Sequence, residues 1–272
     1  VVSRVLWGRS MKRLGGLVTA LRSGEGLKGQ LLRGGLGSIA IKIASTGLNL
    51  LLAIILARLL GAEGFGIYSY IFAIVTILTI PAQIGLPNLV VRETAKAQVT
   101  SDLALMKGLW RWATLMVLTI SGVLVALGGL TTRFLGDRLN HLQLETFWWA
   151  MVLIPLTALG NVRGSALRGL QHVVLGQLPE FVLRPFLFIS LAIISAWLFQ
   201  HSNFNSASAM MAHVFSSAIT FFVGLLLITR MYPEILKFNS VRYDGERWFK
   251  DAFILGSSES INIININIGI VL

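Results

Sequence analysis

The sequence contains no cysteine. That excludes disulfides, thiolate metal sites and cysteine nucleophiles. Charge is also scarce: 13% of 272 residues are Asp, Glu, Lys or Arg, against about 25% in an ordinary soluble domain. Acids are the scarcer sign, with 12 Asp and Glu against 23 Lys and Arg. The histidines (His141, His172, His201, His213) stand at no metal-ligand spacing. There is no HExxH and no pair of carboxylates suited to a soluble cleft. Gly24-Glu25-Gly26-Leu27-Lys28-Gly29 fits GxGxxG by count, but no strand precedes it. The same segment misses the phosphate-loop pattern, because Gln30 stands where Lys is needed. No ATPase, hydrolase or dinucleotide chemistry is visible, so the expectation is a protein that is not an enzyme, with no cofactor and no metal.

What the sequence has instead is apolar length. Apolar residues make up 55% of the chain and the mean hydropathy is +0.75. Long apolar runs recur from end to end, which points to an all-α, polytopic transmembrane helical bundle. Six complete spans are expected near 36–60, 65–91, 113–135, 147–162, 173–199 and 207–229. The start of a seventh follows from Ala252. The first is about 25 residues, or roughly 37 Å as a helix, enough to cross a hydrocarbon core with some tilt. Gly61, Gly64 and Gly66 let the chain reverse into the second span. Four regions follow: 1–35, a basic interfacial N-terminal segment; 36–230, the six-helix bundle; 231–251, a cytoplasmic connecting loop; and 252–272, an incomplete seventh helix. The sequence ends at Leu272 within that helix, so the expectation is the N-terminal part of a longer protein. Met11 is a candidate alternative start.

The net charge of +11 would suggest nucleic acid as a partner in a soluble protein. Its distribution argues against that. One set of loops holds Arg58, Arg133 and Arg138 against Glu63, Asp137 and Glu145, and the spans hold Lys42 and Arg184 against Glu180 and Glu259. Both sets balance, so the excess lies wholly on the other loops. This positive-inside bias places the N-terminus in the cytoplasm. Residues 1–35 interleave Arg4, Arg9, Lys12, Arg13 and Arg22 with Leu14, Leu17, Val18 and Leu21, as an interfacial helix attracted to anionic membrane lipid would. The basic loop from Arg92 to Arg111 reads as an amphipathic cytoplasmic helix, with Trp110 and Trp112 in an interfacial aromatic belt.

Polar residues inside spans are the candidate site. Ser38, Lys42, Ser45 and Asn49 step by four, three and four, so they share one face of the first helix. A spanning Lys costs about 2.5–3.5 kcal/mol on insertion scales. Facing an aqueous cavity it would receive an anionic head group; otherwise it snorkels to the interface. Arg58 lies off this stripe near the outer surface. In the fifth span Gln177, Glu180 and Arg184 share a face, with Glu180 and Arg184 at i, i+4. Pro179 and Pro185 bracket them and predict a kinked or loosened helix. Arg184 could join Lys42 in a cationic pocket while Glu180 balances charge or couples to an ion. His213, Ser217, Thr220 and Gly224 line one face of the sixth span, more in the manner of a small-residue helix contact than of a binding surface.

The hairpin run Leu56-Ala57-Arg58-Leu59-Leu60-Gly61-Ala62-Glu63-Gly64-Phe65-Gly66-Ile67-Tyr68-Ser69 resembles polysaccharide-biosynthesis proteins, the Wzx-like oligosaccharide flippases. So do Gly85-Leu86-Pro87-Asn88-Leu89-Val90-Val91-Arg92-Glu93 and Arg168-Gly169-Leu170-Gln171. The superfamily also holds multidrug exporters and lipid II flippases. The resemblance implies one half of a two-bundle transporter around a cationic cavity in a bacterial inner membrane. Its implied substrate is an undecaprenyl-pyrophosphate-linked oligosaccharide, with a proton or sodium ion as candidate coupling partner. Lys42, Arg184, Ser38, Ser45 and Asn49 are then the candidate substrate-binding residues and Glu180 the candidate for coupling or charge balance. The chain departs from the pattern in lacking a second bundle and in carrying Asn265 and Asn267 near the place where many relatives have Asp. Alternatives are a multidrug or cation exporter on the same scaffold and a non-transporting truncated membrane protein.

Overall fold

The computed structural model describes residues 27–83, 85–135, 140–198, 204–232 and 240–256. The N-terminal interfacial segment, apart from its last residues, and the seventh span beyond 256, with Asn262, Asn265 and Asn267, lie outside the described residues. So do residues 84, 136–139 and 199–203, and residues 233–239 of the expected connecting loop.

Among the described residues the protein is helical, with no strand. In chain order the elements are α1 (Leu27–Gln83), α2 (Leu86–Val99), α3 (Leu103–Leu135), α4 (His141–Gly169) and α5 (Val173–Leu178). A π-helical turn (Pro179–Leu183), α6 (Arg184–Leu198) and α7 (Ser206–Met231) follow. A last helix, α8, covers 245–256.

Five helical stretches are long and apolar enough to cross a membrane. This is a multi-pass membrane protein. The count is lower than the six spans expected because the first two form a single helix, α1, broken at Gly61. Its φ of 68° and ψ of −179° fall in a region essentially reserved for glycine. One residue therefore makes the hairpin where a three-glycine loop was expected. A straight helix of 57 residues would be roughly 85 Å long. Instead both ends of α1 return to one end of the bundle. Gly34 and Gly37 lie against Val173 and Val174, at the start of α5. Gln83 Oε1 accepts a hydrogen bond from Asn161 Nδ2, near the end of α4.

α4 is the central post, packing against α1, α2, α3, α5 and α7. It is the least apolar of the five spanning stretches. Its buried residues include Ala150, Ala158, Gly160, Gly164, Ser165, Ala166 and Gly169. Small side chains let neighbouring helices approach closely, which is what association in a lipid environment rests on. Long apolar side chains point outward, among them Leu36, Ile39, Ile43 and Ile54 on α1 and Phe215, Phe222 and Leu226 on α7.

The end of the bundle that carries most of the basic residues is built differently from expectation. The second span does not run on to Val91. Gly85, at φ 67°, starts a separate helix, with Pro87 in its first turn. The expected amphipathic helix thus divides: α2 carries Arg92 to Lys96, and Lys107 to Arg111 belong to α3, which is continuous with the third span. The residues 240–256 dock on this end. Arg242 N donates to Ala104 O at 3.1 Å, Trp248 is buried, and its ring meets Trp112 at 5.6 Å. Gly85 faces the backbone of Ala252 and Gly256 so closely that a Cβ would collide. Ion pairs join Arg92 to Asp251 and Arg242 to Asp102 across the contact. Trp110 donates to Thr94 Oγ1 at 3.0 Å. The two tryptophans expected in an interfacial belt tie helices together.

Candidate functional site

Two prolines shape the charged centre of the bundle. Pro185 has no N–H to donate, and its ring crowds the carbonyl four residues back, on Phe181. A wider turn relieves the conflict: Arg184 N–H bonds to Pro179 O, five residues back. The loosening expected between Pro179 and Pro185 is thus a π turn, a rare element that recurs at functional positions.

This turn buries Glu180 between two guanidinium groups. Glu180 Oε1 accepts a hydrogen bond from Arg163 Nη2 at 3.0 Å, and Oε2 lies 3.6 Å from Arg184 Nη1. Arg163 belongs to α4, and its side chain is only 6% exposed. Its Nη1 donates to Thr220 O at 3.3 Å and also to Phe221 O on α7. Its Cζ stands 5.5 Å from the centre of the Phe221 ring. Arg163 Nε finds no partner among the described residues. Glycine makes room on both sides: a Cβ at Gly160 would enter the Glu180 carboxylate, and one at Gly224 would enter the Arg163 guanidinium. The cluster joins α4, the π turn, α6 and α7, and it holds one positive charge in excess.

Arg163 is the residue that sequence reasoning missed. It was expected in a short turn after residue 162, whereas α4 runs on to Gly169 and carries it inside. The available signal was Gly160 and Gly164, four apart with Arg163 between them. That spacing marks a close helix approach, and Gly164 does lie against the Gly176 carbonyl of α5. The Glu180–Arg184 pair expected from i, i+4 spacing is present, but it is the looser half of a bridge whose tighter half comes from another helix.

The α1 stripe divides. Ser38 Oγ donates to Gln177 Oε1 at 2.9 Å, fixing α1 against α5. Ser45 is buried, and Asn49 Nδ2 donates to its carbonyl at 2.8 Å and its hydroxyl at 3.1 Å. Lys42 is exposed, and its ammonium makes no hydrogen bond or ion pair among the described residues. It stands beside exposed Ile39 and Ile43. The first arm of α1 and the α5–α6 segment both run away from the basic end. With Ser38 level with Gln177, Lys42 lies one turn on and Arg184 two turns on, so the two cations differ in depth by roughly 5 Å. Arg184 pairs with Glu180 and Lys42 does not. Arg58 is exposed beside the Gly61 hairpin, off the stripe as expected.

The α7 face is a helix contact, the reading that small residues favoured. His213 Nδ1 and Tyr68 Oη are 2.9 Å apart in the interior, and the imidazole stacks on Phe188 with centroids 4.5 Å apart. Thr220 is fully buried, and its carbonyl, like the bare Cα of Gly224, serves Arg163.

Against this geometry stand the comparisons with known proteins. The profile of a family described as polysaccharide biosynthesis protein matches residues 31–272. No curated protein matches the chain. The match covers far more than half of the sequence, and the chain belongs to that family.

Proposed function

We propose that this member of the polysaccharide biosynthesis family forms one wall of a flippase for lipid-linked oligosaccharides. The substrate class is an undecaprenyl-pyrophosphate-linked glycan, moved from the cytoplasmic to the outer leaflet of a bacterial inner membrane, with the N-terminus of the chain in the cytoplasm. The observation that carries this reading is Lys42, an unpaired cation exposed within an apolar spanning helix at nearly the depth of the partly exposed Arg184. A cation in that setting is costly unless it meets water or an anion.

The mechanism is electrostatic and steric, with no covalent step. Lys42 offers a compact point charge and Arg184 a planar fork of donors, and both suit a pyrophosphate. Asn49 is the other exposed member of the stripe and keeps its carbonyl oxygen free for sugar hydroxyls; Ser38 and Ser45 hold their neighbours in place. Rocking of this bundle against a second wall would then expose the head group on the other side, with a proton or sodium gradient as the drive.

Lys42→Ala in the full-length protein is expected to abolish complementation of a flippase-deficient strain at normal expression. Unchanged surface polysaccharide in that strain would sink the role of Lys42. The exporter alternative has little support here, because an organic cation would be repelled by a cluster with excess positive charge.

A further inference from the structure

We infer that Arg163 is a positioning residue: it holds one oxygen of Glu180 so that Arg184, left with only the looser contact, stays available to an anionic phosphate or pyrophosphate group. The inference rests on the reading of Arg184 as part of the anion site. Left alone beside Arg184, a buried carboxylate would take that guanidinium as a full bidentate partner, the geometry these groups favour. It does not do so here. Oε1 is committed to Arg163 through a 3.0 Å hydrogen bond. Arg184 stays 3.6 Å from Oε2, beyond hydrogen-bond length. Arg163 itself is locked by two α7 carbonyls and the Phe221 ring, over floors that only Gly160 and Gly224 leave open. Its side chain is 6% exposed, whereas that of Arg184 is 29% exposed.

The excess positive charge of the cluster therefore resides on the one member that reaches the bundle surface. Desolvating an unbalanced charge is unfavourable, and an anion arriving at Arg184 restores the balance. Glu180 acts as the pivot, aiming Arg184 through an ion pair too long for a hydrogen bond. Arg163 touches no ligand; it works through Glu180.

The test uses the full-length protein in nanodiscs, with undecaprenyl pyrophosphate as the probe and its Kd as the readout. In Arg163→Met the Glu180 carboxylate turns to Arg184, and affinity is expected to fall about tenfold or more, the equivalent of about 1.4 kcal/mol. Where that variant does not fold, Arg163→Gln serves, since it keeps a hydrogen bond to Glu180 but no charge. Arg163→Met with Glu180→Gln removes both partners, and affinity is expected to return to within about threefold of wild type. A merely structural role would lower the yield of folded protein without this loss and recovery of affinity. Wild-type affinity in the folded single variant, or a double variant no better than the single, overturns the inference. Arg184→Ala separates the two levels. If it leaves affinity unchanged, the anion-site reading itself fails. If it weakens binding while Arg163→Met does not, only the role of Arg163 fails.

Discussion

At the basic end, Arg92, Glu93, Lys96 and Asp251 form a chain of ion pairs around a buried Glu93. In the bundle, Arg163, Glu180 and Arg184 form a chain of similar composition. The first is anchored by side chains that remain 26–53% exposed on Arg92, Lys96 and Asp251, so water and salt screen it. The second has two members below 10% exposure and exchanges its hydration for fixed protein dipoles. The same residue types thus give a surface contact that can be remade and an interior joint that cannot lose one partner cheaply. Different glycines serve the two: Gly85 admits the backbone of 252–256 at the end of the molecule, and Gly160 and Gly224 admit charged side chains at its centre.

The largest effect should come from breaking the interior joint on one side. Glu180→Ala leaves Arg163 buried and unpaired, and a loss of about 3–5 kcal/mol is expected. Unfolding in detergent or nanodiscs measures it. Gly224→Leu should have a comparable effect for a steric reason, because the branch would displace the Arg163 guanidinium; expression and unfolding midpoint report it. Trp248→Ala tests the docked segment, and a loss of about 3–5 kcal/mol at most is expected from emptying the space beside Trp112. Its consequence should be local, with faster backbone amide exchange in 245–256 and little change in α4. Asp251→Asn should cost about 0.2–1 kcal/mol, and high salt should erase the difference between variant and wild type. Salt sensitivity of the same size in Glu180→Ala would erase the distinction between the two regions. Arg58→Gln, at an exposed position beside the hairpin, should leave both stability and transport unchanged.

How much of this was legible depended on whether a feature was local. The π turn is readable from Pro179 and Pro185, because ring sterics and a missing donor act within one turn. The hairpin at Gly61 is readable for the same reason, although only the backbone shows that one residue suffices. The polar stripe on α1 follows from helical spacing. Its division does not: Ser38 turns inward because Gln177 is there to accept, and Lys42 stays out because nothing in the described part of the bundle faces it. Arg163 was misplaced because apolar content falls off at the end of α4, and hydropathy alone cannot tell a loop from a central helix whose surroundings are other helices.

By itself, the sequence determined that the chain crosses a membrane several times, that its cations outnumber its acids, and that its first two spans form a hairpin. Those are consequences of apolar length, charge count and the steric freedom of glycine, all properties of neighbouring residues. Only the tertiary structure decided which charge answers which. Glu180 has Arg184 four residues away and Arg163 seventeen residues away, and the distant partner holds the hydrogen bond. Helix packing sets that choice, because α4 meets the π turn at Gly160 and α7 at Gly224 closely enough to seat the Arg163 guanidinium against the carboxylate, and Arg184 is left at its edge.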